Sequence, residues 1–423
     1  MKPTELKIFV YLDDPGRIGP LSIGMLFTMM AKNRELFSFQ YDETWLSDKE
    51  SRNLDPDLHL YRGRQYPRTE ISSFGLFMDS SPDRWGRMLM RRREALAARK
   101  AGRPERTLEE SDYLLGVHDL ARMGALRFKT ENQGPFLAED MELSTPPWVR
   151  LRELEEAAGS IEDVDDPLRE EEWLRILLAP GSSLGGARPK ATVVDPSGHL
   201  WIAKFPSHRD REDSGAWEKC VHELARKAGM CVPESTLERF SAYGSTFLAK
   251  RFDRSTGGAR IHFASAMTLL GKADGASADD GTSYLELVGW IRANGCEPRK
   301  DLEELWKRIV FNIAVSNTDD HLRNHGFLLH TAGWRLSPLY DVNPNPEGRG
   351  LSLNISETDN SLDFNLALSQ APRFLLDDQK ARILMEQILE AVSKWQKEAS
   401  LYAIPRSSIS RMMKAFRLNH STN

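Results

Sequence analysis

Ser316-Asn317-Thr318-Asp319-Asp320-His321-Leu322-Arg323-Asn324-His325-Gly326-Phe327 is the stretch whose reading decides the fold. It follows an apolar helix pattern and precedes two short apolar runs that read as a β-hairpin ending at Leu339-Tyr340-Asp341. Asp319 and Asn324 stand in the spacing D-x-x-x-x-N with polar residues between them, so the segment reads as a loop. A loop can aim a carboxylate and an amide oxygen at one point. Phosphoryl transfer needs such a set: a carboxylate to orient the attacking hydroxyl, and oxygen ligands for Mg²⁺ from an amide and a second carboxylate. Asp341, returned by the hairpin, is placed to be that second carboxylate. The spacing alone favours a polar surface turn. The rest of the chain has to decide.

At 423 residues the chain exceeds one comfortable core, so two or three lobes are expected. With 40% hydrophobic and 28% charged residues it is an ordinary globular composition, which argues against wholesale disorder. A net charge of -5 supplies no global pull toward nucleic acid, so any such contact must be a local patch. Cys220, Cys231 and Cys296 form no C-x-x-C pair, which leaves neither a disulfide framework nor a zinc knuckle. The run Ile8-Phe9-Val10-Tyr11-Leu12 is too short for a signal segment, and no uncharged apolar stretch reaches bilayer length. The expectation is a cytoplasmic protein with no membrane contact.

The chain divides on paper into residues 1–127, 128–253 and 254–423. The first begins with a strand-like run, Leu6 to Leu12, and a turn, Asp13-Asp14-Pro15-Gly16. Ser81-Pro82 reads as a helix start. The helix after it carries Arg84, Arg87, Arg91, Arg92, Arg93, Arg99 and Lys100, either a footprint for phosphate backbone or a solvated face balanced by acidic neighbours. Residues 131 to 180 read as an acidic, Pro-containing connector.

Gly181-Ser182-Ser183-Leu184-Gly185-Gly186-Ala187-Arg188-Pro189-Lys190 then precedes a strand. Small residues let backbone N–H groups approach phosphate oxygens, although an ordinary turn has the same composition. It is not a Walker A loop, because Ala187-Arg188 stand where Lys-Ser/Thr is required. The strand His199 to Phe205 places Ile202 and Lys204 on one face, opposite Trp201, Ala203 and Phe205. Lys204 is either an edge lysine facing water or the partner of Glu218, which the next helix pattern presents. Thr246 to Asp253 reads as a buried strand whose end, at Lys250 and Phe252, would offer groups to adenine. Asp301 with Glu304 reads as a capping box opening the helix that delivers Asn317 and Asp319. Leu302, Leu305, Trp306, Ile309 and Ile313 form its apolar stripe. The basic tail beyond Pro405, with Arg406, Arg411, Lys414 and Arg417, either touches a partner or caps its domain.

These parts appear in the order a protein kinase needs: small-residue loop, strand lysine, helix glutamate, connecting strand, helical lobe, D-x-x-x-x-N loop, hairpin, aspartate. At this point the sequence resembles the HipA family, Ser/Thr protein kinase toxins of bacterial type II toxin–antitoxin systems. GSSLGGARPKATV, WIAKFP, FLAKRFDR, SNTDDHLRNHGF and LSPLYDVNP carry the resemblance, and the first 100 or so residues look like the family's extra β-rich subdomain.

The resemblance implies an α+β, divergent kinase-like two-lobe fold with that N-terminal subdomain and a helical C-terminal lobe. It implies Asp319 as catalytic residue, Asn324 and Asp341 as Mg²⁺ ligands, and Lys204 on the phosphates of ATP with Glu218 as its supporting ion pair. Ser183, Gly185 and Gly186 would belong to the phosphate-binding loop, with Ser183 or Ser182 autophosphorylated. Such an added dianion would eject the loop. His321 would hold the catalytic loop. Arg188-Pro189 depart from the family's commoner residues there. The implied partners are a HipB-like helix-turn-helix antitoxin, operator DNA through that complex, and a translation-related protein substrate such as an aminoacyl-tRNA synthetase. The alternative is a non-catalytic co-repressor acting with the antitoxin on DNA. A small-molecule phosphotransferase would share the same site.

Overall fold

The computed structural model describes residues 5–32, 34–69, 71–137, 145–162, 167–178, 186 and 188–418. The chain forms two compact units, one of residues 1–208 with 253–264 and the other of 209–252 with 265–423.

In the first unit, β1 (Leu6–Leu12), β2 (Leu21–Ala31), β3 (Arg34–Tyr41) and β4 (Leu126–Lys129) form an antiparallel sheet in the order β3-β2-β1-β4. Strand alternation buries Ile8, Val10 and Leu12 together on one face. The β1–β2 register shifts between Val10 and Tyr11, and opposite the shift Gly24 has φ 157°. A Cβ on Gly24 would lie 2.2 Å from the Gln40 carbonyl oxygen, so only glycine fits.

The helix Arg84–Lys100 begins later than Ser81-Pro82 suggests. Asp83 is its cap, accepting from the Gly86 N–H at 2.8 Å, while Ser81 Oγ donates back to the Phe77 carbonyl at 2.9 Å. A carboxylate two residues nearer the first turn outcompetes the hydroxyl for the exposed N–H groups. Much of the helix's basic charge is balanced by acids: Arg87 pairs with Glu110 at 2.7 Å, Arg99 with Glu170 at 3.1 Å, and Lys100 with Glu171. Glu170 and Glu171 correct the reading of 131–180 as a connector, because it contains the helices Leu151–Glu162 and Pro167–Leu178. Glu170 and Glu171, which suggested a solvated linker, are there to meet the basic helix.

β5 (Lys190–Val194) and β6 (Leu200–Lys204) make the expected hairpin. Its turn is held by Asp195, whose carboxylate accepts from the backbone N–H groups of Ser197 and His199 and from Trp201 Nε1. Residues 253–264 join this unit through Asp253, which accepts from the Gly124 N–H at 2.8 Å, and Arg260, which meets Asp119 at 2.8 Å.

The second unit opens with the helix Ser214–Lys227, capped by Asp213, followed by the antiparallel pair β7 (Ser235–Glu238) and β8 (Thr246–Lys250). β8 stops at Lys250, three residues before the expected end, because Asp253 turns to Gly124. The helix Pro298–Val315 buries the predicted stripe Leu302, Leu305, Trp306, Ile309 and Ile313. Asp301 is not its cap. The helix starts at Pro298, whose fixed φ suits a first helical position, and Asp301 instead accepts from Arg335 Nε at 3.0 Å and the Leu336 N–H at 3.2 Å. Gly326–His330 and Gly333–Leu336 form the expected hairpin.

The C-terminal segment packs on its own unit. Trp395 and Phe416 stack at 4.1 Å, Arg411 and Ser408 meet Glu212, and Arg417 donates its backbone N–H to the Ala314 carbonyl. The basic tail is therefore a cap on its domain. Among the described residues no helix is long and apolar enough to cross a membrane.

Candidate active site

The loop that follows Val315 is shaped by its first residue. Ser316 ends the helix in the left-handed region, φ 49°, and turns the chain so that Asn317 N–H returns to the Asn312 carbonyl at 2.9 Å. A buried amide chain continues from there. Asn317 Nδ2 donates to Asn312 Oδ1 at 3.0 Å, and Asn317 Oδ1 accepts from the Asn343 N–H at 3.3 Å. Tyr340 Oη donates to the Arg323 carbonyl at 2.6 Å. Asp341 therefore lies between two residues tied to the two ends of the loop that holds Asp319. Its own backbone is left-handed, φ 56°, a conformation Asp tolerates better than most side chains.

Asp319 and Asp320 are adjacent and opposite in character. The Asp319 side chain is 81% exposed, with His321 Nε2 3.7 Å from Oδ1. Asp320 is 1% exposed, and burial pushes its carboxyl up to about 6. Asn324 is buried, and its Nδ2 donates to the Asp319 carbonyl at 2.8 Å. That bond uses the amide's nitrogen and leaves Oδ1 as an acceptor. One carboxylate and one amide oxygen suit Mg²⁺, which takes few protein ligands and completes its shell with phosphate oxygens and water. Among the described residues no group of three or more His, Cys, Asp or Glu side chains could hold a metal.

His325, rather than His321, is the buried histidine of the loop. Its Nε2 lies 3.1 Å from the Asp320 carbonyl, its ring packs edge-on to Tyr284 at 5.3 Å, and burial lowers its pKa to about 3. It stays neutral at ordinary pH and serves as scaffold.

The remaining candidates are distributed over both units. Lys204 ends β6 on the less buried face with Ile202, opposite buried Trp201, Ala203 and Phe205, as strand alternation requires. Directly across the hairpin stands Lys190, whose ammonium is buried against Asp83 at 2.9 Å and donates to the Gly186 carbonyl at 3.1 Å. Glu218 is buried in the helix Ser214–Lys227 of the second unit. Lys250 pairs with Glu234 at 3.5 Å, and the Phe252 ring lies 5.4 Å from that of Tyr340, the neighbour of Asp341. Gly186 is exposed, whereas Ser182, Ser183 and Gly185 lie outside the described residues. The sequence reading gave no role to Tyr284, Asn312, Asn317, Asp320, Ser352 or the Asp83–Lys190 pair. No local pattern marks them, since each acts through a partner far along the chain.

The chain matches the family model of the HipA-like C-terminal domain over residues 182–396, just over half its length. It is 28% identical over 334 residues to the candidate kinase Y4mE of Sinorhizobium fredii, covering 72% of this chain and 71% of that protein. It is 26% identical over 188 residues to a candidate kinase of Haemophilus influenzae, covering 40% and 54%. Its structure resembles a HipA toxin of Shewanella oneidensis, solved with HipB and operator DNA, with a TM-score of 0.64 and 18% identity over 96% of this chain and 94% of that one. The fold is thus the divergent kinase-like, two-lobe α+β fold. The chain belongs to the HipA-like family.

Proposed function

We propose that this chain is an ATP- and Mg²⁺-dependent Ser/Thr protein kinase of the toxin type. The observation that carries the reading is one loop: exposed Asp319 is followed by Asn324, bonded to the Asp319 carbonyl, while Asp341 sits between two residues anchored to that same loop. Asp319 orients the substrate hydroxyl and accepts its proton. Asn324 Oδ1 and Asp341 hold Mg²⁺, which when bound neutralises charge on the phosphates. Lys204 contacts those phosphates, supported by Glu218. Gly185 and Gly186 offer backbone N–H groups, and Lys250 and Phe252 border the adenine. Ser183, with Ser182 as the neighbouring candidate, is the residue modified when the kinase acts on itself.

The three segments 1–127, 128–253 and 254–423 serve as N-terminal subdomain, small lobe and large lobe. The partners are a HipB-like antitoxin, operator DNA through that complex, and a translation-related protein such as an aminoacyl-tRNA synthetase, all met in the cytoplasm. The likeness to a HipA solved with HipB and DNA supports the first two. Phosphopeptide mass spectrometry of the full chain incubated with ATP and Mg²⁺ tests the reading beside Asp319→Gln. Phosphate on Ser183 or Ser182 in the wild type, absent from the variant, is the expected result. No phosphate on either protein, together with no ATP binding, would overturn it and leave the co-repressor.

A further inference from the structure

Asp319 is an exposed carboxylate on a loop, yet transfer requires its position to be held closely. The residues on either side of it are both tied to one distant serine. Ser352 Oγ donates to the Thr318 carbonyl at 2.8 Å, and the Ser352 N–H donates to Asp320 Oδ1 at 2.6 Å. Ser352 is itself fixed, because its carbonyl accepts from the Ala278 N–H at 2.7 Å. The second oxygen of Asp320 accepts from Tyr284 Oη, and that hydroxyl accepts from Asn312 Nδ2 at 3.3 Å. The Asp320 carbonyl lies against His325 Nε2.

We propose that Ser352, Asp320 and Tyr284 form a clamp that brackets Asp319 and positions it for transfer, the three being positioning residues that touch no substrate. The proposal rests on the kinase reading above. A buried carboxylate is costly and seldom kept without a task. Here it joins two elements no apolar side chain could join, the helix Tyr284–Asn294 and the segment around Ser352. Each oxygen is used by a different element, so the loop backbone on the C-terminal side of Asp319 is fixed from two directions. Ser352 Oγ fixes the N-terminal side. Asn345 Nδ2 adds a third hold, donating to Thr318 Oγ1 at 2.9 Å.

The test uses the full chain with Tyr284→Phe, which removes one donor, and Ser352→Ala, which removes a single half-buried hydroxyl. Amide hydrogen exchange is followed in residues 316–325, with the helix Asp378–Ser393 as control for the global fold. In both variants exchange in 316–325 is expected to rise while the control helix is unchanged. Turnover is expected to fall roughly 10- to 100-fold, the scale of a misplaced catalytic group. KM for ATP should stay within about twofold, the mark of an interaction that matters in the transition state rather than in binding. Unchanged exchange in 316–325 overturns the clamp whatever the activity, and so does wild-type kcat in a variant whose loop exchange has risen. If Tyr284→Phe unfolds the control helix, Ser352→Ala decides alone. A wild type that transfers no phosphate, with variants whose loop exchange rises, overturns the kinase reading and leaves the clamp as the holder of this loop.

Discussion

The Asn324 side-chain amide donates to the Asp319 backbone carbonyl at 2.8 Å, so the residue proposed to hold Mg²⁺ also fixes the backbone of the residue proposed to receive the proton. The double role sets what a substitution can do. Asn324→Asp supplies a stronger Mg²⁺ ligand in charge, but it loses the donor and places a carboxylate against a carbonyl. It is expected to reduce phosphoryl transfer at least 10- to 100-fold, the usual effect of losing a group that orients a site. Steady-state turnover across a Mg²⁺ titration checks this, and recovery at high Mg²⁺ would count against the structural half of the role.

Asp319→Asn keeps the shape of the side chain and removes its basicity. Transfer is expected to drop by about 10²–10⁴-fold, the range for loss of a general base. ATP affinity should be nearly unchanged, because the role proposed for Asp319 is toward the acceptor hydroxyl rather than the nucleotide. Calorimetric ATP binding beside a radiolabel transfer assay separates the two quantities.

The Asp83–Lys190 pair is buried on both sides, with 4% and 2% of the side chains exposed. Lys190→Met leaves a carboxylate buried without its cation and is expected to cost ~3–5 kcal/mol of stability. Asp83→Asn combined with Lys190→Met keeps a capping side chain and removes both charges, so it should recover most of that loss. Urea denaturation of the two variants measures the difference. Equal losses would mean that the orphaned Asp83 carboxylate is not the source of the loss.

Burial lowers the pKa of His262 to about 4 from an ordinary 6.5. Between those values the unfolded chain takes up a proton that the folded chain refuses, so stability falls as pH falls through this window. The slope from this one group is about 1.4 kcal/mol per pH unit. His262→Gln should flatten that slope by the same amount, read as the difference between the two proteins' unfolding free energies over the window. An identical pH dependence in both would show that His262 is not desolvated in the folded state.

The order of elements was legible in the sequence. β1 appears where the strand-like run Leu6 to Leu12 put it, the helix before Asp319 buries the stripe its spacing defines, and the hairpin returns Asp341 toward the loop. Errors came where two local rules competed. Ser81 and Asp83 are both capable caps, and Asp301 with Glu304 mimics a capping box three residues inside a helix that Pro298 begins. The acidic run before Trp173 looked like a linker because charge density is a local property, whereas its partners, Arg99 and Lys100, are some seventy residues away.

By itself, the sequence singled out Asp319, Asn324 and Asp341 as candidates, since residue type and spacing fix what chemistry such side chains could do. Only the tertiary structure decided which of two adjacent aspartates faces solvent and which is buried. Asp319 and Asp320 are chemically identical, and the difference arises from Tyr284, Ser352 and His325, residues distant or inconspicuous in the chain. Hydrogen bonds that satisfy a buried carboxylate come from wherever the fold brings a donor. No pattern along the chain records that.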